Sequence, residues 1–178
     1  MFEQKITQPT IETPRLQLRP LLTADAAMLR HYASEQSVAR MTTSIPHPLP
    51  DGATEAFLDA VQADDRIEDA WAIDGSDTGL PALLGVIGLE RLDRQQSEIG
   101  YWVAPQFWNS GVASEAVGAI VNANPHGART MFGAVFQDNP ASVRVLEKVG
   151  FEYLGPAEAY SVARGEVVPT WTYLRKLN

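Results

Sequence analysis

The chain has 178 residues, 22 acidic against 14 basic side chains, a formal charge of −8, 45% hydrophobic residues and no cysteine. That length suits one domain, residues 1–178, with a substantial core. An acidic surface repels phosphate backbones and argues against nucleic acid as a partner, while the missing cysteines exclude disulfides, thiolate metal sites and a cysteine nucleophile together. No apolar run is long enough for a membrane helix. Met1–Thr10 lacks the apolar core of a signal peptide, which predicts a cytoplasmic protein.

In chain order, Thr13–Leu21 alternates Leu16 and Leu18 with Arg15, Gln17 and Arg19, the pattern of a strand, and Pro20 ends it. Thr23 is the predicted cap of a helix running to His31–Ser34, with Asp25 in its first turn. Thr42–Ala53 is too rich in proline for regular helix and reads as a loop. A short amphipathic helix with Phe57, Leu58 and Val61 follows. Ala70–Ile73 and Ala82–Leu92 read as strands. Asp93–Gln96 is a polar turn leading into a third strand, Ser97–Ala104, so the last two form a hairpin. Gly85 and Gly88 in its first strand predict a bulge or a close contact.

A helix with Ala116, Val117, Ile120 and Val121 on one face then runs to Pro125, followed by a buried strand, Met131–Phe136. Residues 138–151 carry a full helix grammar: Asn139 as N-cap, Pro140 at the first position, Lys148 in the last turn and Gly150 beyond it. Glu166–Leu177 is a final strand. A hairpin followed by alternating strands and helices predicts a mixed α/β sheet.

The loop Pro105–Val117, PQFWNSGVASEAV, runs from a strand into a helix whose first N–H groups have no partners within it. Such an end holds an anion, and Gly111 and Ala113 keep the approach open. Taken in order, TPRLQLRPL, IPHPLP, EIGYWVAPQFWNSGVASEAV and NPASVRVLEKVGFEYLG make the chain similar to the GCN5-related N-acetyltransferase (GNAT) superfamily, in its RimJ/RimL-like branch.

The resemblance implies a GNAT fold, with a central, mostly antiparallel sheet splayed between two middle strands and flanked by helices. It implies acetyl-CoA as cosubstrate and a primary-amine acceptor, either a peptide N-terminus or a small molecule. The family's pyrophosphate motif maps onto Trp108, Asn109, Ser110, Gly111, Val112 and Ala113, with Ser114 next. Trp108 stands where a basic or amide residue is usual, and Asn109 where a further glycine is frequent. Backbone at Trp102 and Val103 would pair with the pantetheine arm. Asn139 would hydrogen-bond that arm or serve as a plain N-cap, and Ser142 would lie near the thiol.

Direct acetyl transfer needs a base for the amine and a proton for the leaving thiolate, and without cysteine no acetyl-cysteine intermediate can form. Glu98 is the predicted base. Strand parity sets Glu98, Gly100 and Trp102 on one face and Ile99, Tyr101 and Val103 on the other. A strand residue paired with Arg91 is its plainer reading, and Glu90 and Glu158 are other candidate acids. The branch's glutamate base falls on Ser161 here, and the helix tyrosine that many relatives use as an acid falls on Leu146. The thiolate is then protonated by water or assisted by Ser142, and Ser142 is the predicted donor.

His31, His47 and His126 lack ligand spacing, so no metal site is expected. Tyr101 and Trp102 read as core or as a wall of the acceptor pocket. Thr42–Pro50 and Ala157–Val168 are the segments expected to shape that pocket. A non-catalytic acyl-CoA-binding module stays open as an alternative, and the sequence carries no signature of oligomeric state.

Overall fold

The computed structural model describes residues 7–178, so Met1–Ile6 of the leader reading lie outside the described residues. Eight strands form one sheet: β1 (Ile11–Glu12), β2 (Gln17–Pro20), β3 (Glu68–Asp74), β4 (Gly85–Leu92), β5 (Gln96–Val103), β6 (Thr130–Phe136), β7 (Glu152–Ser161) and β8 (Glu166–Lys176). Their order across the sheet is β1-β2-β3-β4-β5-β6-β8-β7. Only β5 and β6 pair in parallel; every other pair is antiparallel. Helices α1 (Ala26–Ala33), α2 (Gln36–Ala39) and α3 (Ala53–Gln62) precede β3, while α4 (Val112–Ala123) and α5 (Pro140–Lys148) flank β6 in sequence. The mixed α/β sheet expected from the pattern is present, and it is mostly antiparallel, as the resemblance implies.

Alternation along the central strands builds two cores. Trp71 and Ile73 of β3, and Ile87 and Leu89 of β4, join Val117, Ile120 and Leu146 of α4 and α5 in one cluster. Ala70, Ala72 and Val86 point the other way and pack with Leu29 and Tyr32 of α1 and Leu58 and Val61 of α3. The middle of the sheet is thus buried on both faces, which explains why β3 and β4 read as near-continuous apolar runs. Gly85 and Gly88 mark close contacts and no bulge, because the β4 register runs unbroken on both sides. A Cβ at Gly85 would meet the backbone carbonyl of Trp102, and one at Gly88 would meet the Glu68 carboxylate.

Four details differ from the sequence reading. The Thr13–Leu21 strand is interrupted: Thr13 N–H donates to Leu16 O (2.8 Å) in a turn between β1 and β2. Thr23 caps nothing, and Asp25 instead reaches back to accept from Leu22 N–H (2.8 Å). The short helix α2 (Gln36–Ala39) was not expected at all. Ala157–Val168 is a β-hairpin, since Glu152–Ser161 forms a full edge strand against β8.

Candidate active site

β5 and β6 hold together only from Gln96–Thr130 to Ile99–Gly133. Beyond that point β5 continues along β4 as far as Val103, and β6 continues along β8 as far as Phe136. The two middle strands therefore part, leaving a cleft lined by Gly100, Tyr101, Ala134, Asn139 and Ser142. Of the backbone expected to meet an extended ligand, the Val103 carbonyl already accepts from the Trp108 indole N–H (2.7 Å). Trp102 is half-buried, with its ring edge-on to Tyr32 at 6.4 Å.

At the mouth of the cleft the chain makes a short 3₁₀ turn, Pro105–Phe107, before α4. Asn109 (φ 58°) and Gly111 (φ 79°) both adopt the left-handed conformation. Asparagine is among the few side chains that tolerate it, so Asn109 does conformationally what a glycine would. Gly111 is the N-cap of α4 and no side chain caps that end, which leaves the first-turn amides of Val112, Ala113 and Ser114 to other partners.

Arg15, which the sequence reading did not single out, lies beside this turn. Its Nη1 donates to Ser110 O (3.0 Å), its Nε pairs with Glu115 (2.9 Å), and its Nη2 lies 3.2 Å from where a Gly111 Cβ would be. A positive helix end, an open glycine and a guanidinium thus share one rim, an arrangement suited to an anion. Trp108 is 47% exposed and contributes an indole to the wall in place of a donor to a ligand.

On the α1–α3 face a cavity of about 440 Å³ opens over the sheet and shares Ile99, Gly100, Tyr101 and Ala134 with the cleft. Its floor carries a row of three carboxylates: Glu68 stands opposite Glu90, and Glu90 opposite Glu98. Burial pushes the Glu98 carboxyl above the usual range, and the negative charge of Glu90 adds to it. Burial does the same at Glu68, with Glu90 and Asp69 adding their repulsion. Among the described residues no cation pairs with any of the three. Arg91 turns away to Asp69 (2.6 Å), so the Arg91–Glu98 pair of the plainer reading does not form. Gly88, opposite Ala70, leaves the space in which the Glu68 carboxylate lies.

The wall of this cavity comes from Thr42–Ile45, Leu49 and Phe57, with Ala159 and Thr170 from the β7–β8 hairpin. The hairpin tip is tied to the loop: Val162 N–H donates to Thr43 O (3.1 Å), and Arg164 bonds Arg40 O (2.9 Å) and Asp138 (2.7 Å). Glu158 lies exposed on β7, outside the cavity lining. Ser161 is fully buried and accepts from Arg164 N–H (3.2 Å), so the position expected for the branch's glutamate faces a turn.

Asn139 caps α5, its side-chain oxygen accepting from Ser142 N–H (3.3 Å) while its Nδ2 donates to Ser142 Oγ (3.2 Å). Leu146 is buried against Gly133 and Ile99 and belongs to the core. Tyr101, read from sequence as core or wall, sends its hydroxyl across to Ser142 O (3.4 Å) at the bottom of the cleft.

His126 serves elsewhere. His126 Nε2 lies 2.8 Å from Asp69 Oδ2 and its Nδ1 lies 3.1 Å from Ser97 Oγ. These are the members of a hydrolytic triad, but Ser97 is fully buried and Asp69 is also held by Arg66 (2.6 Å) and Arg91, so the group braces the sheet. Among the described residues no group of three or more His, Cys, Asp or Glu is placed to hold a metal ion, and no helix is long and apolar enough to cross a membrane.

A sheet parted between parallel neighbours, an uncapped helix end at one side of the gap and a carboxylate-floored cavity at the other define a group-transfer enzyme of the acyltransferase class. The profile of the acetyltransferase (GNAT) domain matches residues 15–152, and the chain belongs to that family. It is 32% identical over 174 residues to the uncharacterized N-acetyltransferase YoaA of Bacillus subtilis (strain 168), covering 93% of this chain and 95% of that one. Among solved structures it is similar to the microcin C7 self-immunity acetyltransferase MccE in complex with acetyl-CoA and AMP (TM-score 0.81, 14% identity, 97% and 99% of the two chains). It is also similar to RimL, a ribosomal L7/L12 α-N-protein acetyltransferase in complex with coenzyme A (TM-score 0.78, 16% identity, 95% and 98% covered).

Proposed function

We propose that the chain, as one domain over residues 1–178, transfers the acetyl group of acetyl-CoA directly to the primary amine of a cationic acceptor. A cytoplasmic location goes with this reading, since the donor is an intracellular metabolite. The observation that carries the reading is the junction of the cleft with a cavity whose three facing carboxylates pair with no cation among the described residues.

The residues present fit the donor. The amides of Val112, Ala113 and Ser114, opened by Gly111 and flanked by Ser110 and Arg15, suit its diphosphate. Asn109 shapes that turn, and Trp108 fixes its wall through Val103. The parted edges at Trp102 and Val103 suit an extended arm, and Asn139 and Ser142 line the same gap. Acetyl-CoA supplies the activated carbonyl, and the chain supplies placement and proton traffic.

Glu98 takes the amine proton. Burial and Glu90 hold its carboxyl above the usual range, nearer the pH at which a base must give and take protons. Glu68 and Glu90 then hold a second positive charge of the acceptor, whether on a polyamine, a basic small molecule or the residues behind a peptide N-terminus. Ser142 stays a candidate donor near the leaving group.

The test is thiol release from acetyl-CoA over polyamines, basic amino-acid derivatives and N-terminal peptides of graded charge. Turnover that rises with acceptor positive charge is the expected result. Tight coenzyme binding without turnover on any amine would instead favour a non-catalytic binding module.

A further inference from the structure

The proposed reaction leaves a thiolate in the cleft, and the helix position that carries a tyrosine in many relatives carries buried Leu146 here. We propose that Tyr101, reaching across the cleft from β5, supplies the hydroxyl that stabilises that thiolate. This inference rests on the acetyl-transfer reading above.

Three features place Tyr101 there. The residue lines both the acceptor cavity and the narrow cleft, so it stands where the two meet. Its hydroxyl points to the first turn of α5, beside Ser142 and Asn139, and around it the walls are the apolar Ile99, Gly133, Val135 and Leu146. The one hydrogen bond it makes among the described residues is weak. At 3.4 Å it exceeds the usual O–H···O range, and in a helix the Ser142 carbonyl is already engaged by the N–H four residues on. The Tyr101 proton is therefore free to turn to a stronger acceptor. Ser142 Oγ accepts from Asn139 Nδ2 (3.2 Å), which fixes that oxygen and leaves its proton as the competing donor that the test below separates.

The step balances as follows. The neutral amine nitrogen bonds to the carbonyl carbon, the carbon–sulfur bond breaks, and its electron pair goes to sulfur. Glu98 accepts the amine proton and passes it to water. Tyr101 donates a hydrogen bond to the sulfur without losing its proton, since burial pushes its phenol up to about 12. The sulfur takes a proton from water as the coenzyme departs.

The chain has no cysteine, so the thiol of bound coenzyme A is the only one in a mixture of the two. Its alkylation by iodoacetamide against pH therefore reports its ionisation directly, with no acceptor and no turnover. With a donor in place, the bound thiol ionises at a lower pH in the wild type than in Tyr101→Phe, by about tenfold in proton concentration, the worth of one hydrogen bond to a charged group. Tyr101→Phe keeps the ring, and an unchanged melting temperature checks the fold.

Equal titrations in the two proteins overturn the role of Tyr101, as does a larger change in Ser142→Ala than in Tyr101→Phe. Failure of the wild type to bind coenzyme A at all overturns the acetyl-transfer reading itself, and this inference with it.

Discussion

Glu98 on β5 stands directly opposite Glu90 on β4, both on the cavity floor and neither paired with a cation among the described residues. Burial pushes the Glu98 carboxyl above its usual range, and the negative charge of Glu90 adds to it. A base must be deprotonated to act, so the acidic limb of the rate profile should sit above the ordinary carboxylate range. Glu98→Gln should lower kcat by about a hundredfold or more while leaving acetyl-CoA affinity in place. Glu90→Gln removes the repelling charge, so the acidic limb should move to lower pH. Initial rates from pH 5 to 9 on the three proteins check both outcomes; an unmoved limb in Glu90→Gln would break the coupling.

The turn before α4 offers a separable test of the donor site. Gly111 has φ 79° and Arg15 Nη2 lies only 3.2 Å from where its Cβ would be. Gly111→Ala should therefore strain the turn and displace the guanidinium, weakening coenzyme A about tenfold, in line with a cost of roughly 1–2 kcal/mol for a strained left-handed residue. Asn109→Gly should leave affinity within about twofold, since glycine adopts the same conformation freely. Titration calorimetry with coenzyme A distinguishes the two substitutions.

Asp69 sets an acid limit on stability. It is buried and held by His126, Arg66 and Arg91, which keep its carboxyl down at about 2 against burial. A carboxylate lowered in the folded state contributes stability that is fully present above its unfolded value of about 3.9 and is lost as pH falls toward its folded one. The protein should therefore lose stability between about pH 4 and pH 2 as this hub protonates. Asp69→Asn should cost about 3 kcal/mol at neutral pH, because two arginines lose their counter-charge. It should also flatten the acid dependence. Urea unfolding at pH 7, 5 and 3 measures both.

Much of this was legible in the residues. The strand–helix alternation after Ser97, the Asn139–Gly150 helix and the Gly111 helix end are spelled by short-range rules of period and capping. β7 was not, because Gly155 and Pro156 and a register shift after Tyr153 erase its alternation, and an edge strand carries little buried signal. The Glu90–Glu98 pairing follows from the tight β4–β5 turn, where Arg94 and Gln95 both have positive φ. Glu68 joins the row only through the β3–β4 register, across a long irregular connection that sequence does not fix. Tyr101 meets Ser142 through packing of distant segments, which no local pattern encodes.

Glu68 gives the last test, because its role as holder of charge predicts opposite changes in stability and in substrate use. Burial raises its carboxyl, with Glu90 and Asp69 adding repulsion. Raised in the folded state, it favours folding only while protonated, and its charge opposes folding as pH rises through that folded value. Glu68→Gln keeps the shape without the charge. It should melt above the wild type at pH 7.5, with the gap closing as the wild-type group protonates in acid. The same substitution should raise KM for a dicationic amine about tenfold, the worth of one charge-assisted hydrogen bond, and leave KM for a monocationic amine within about twofold. A Glu68→Gln protein that melts below the wild type at pH 7.5, with KM unchanged for both amines, would mean that Glu68 braces the sheet and reads no charge.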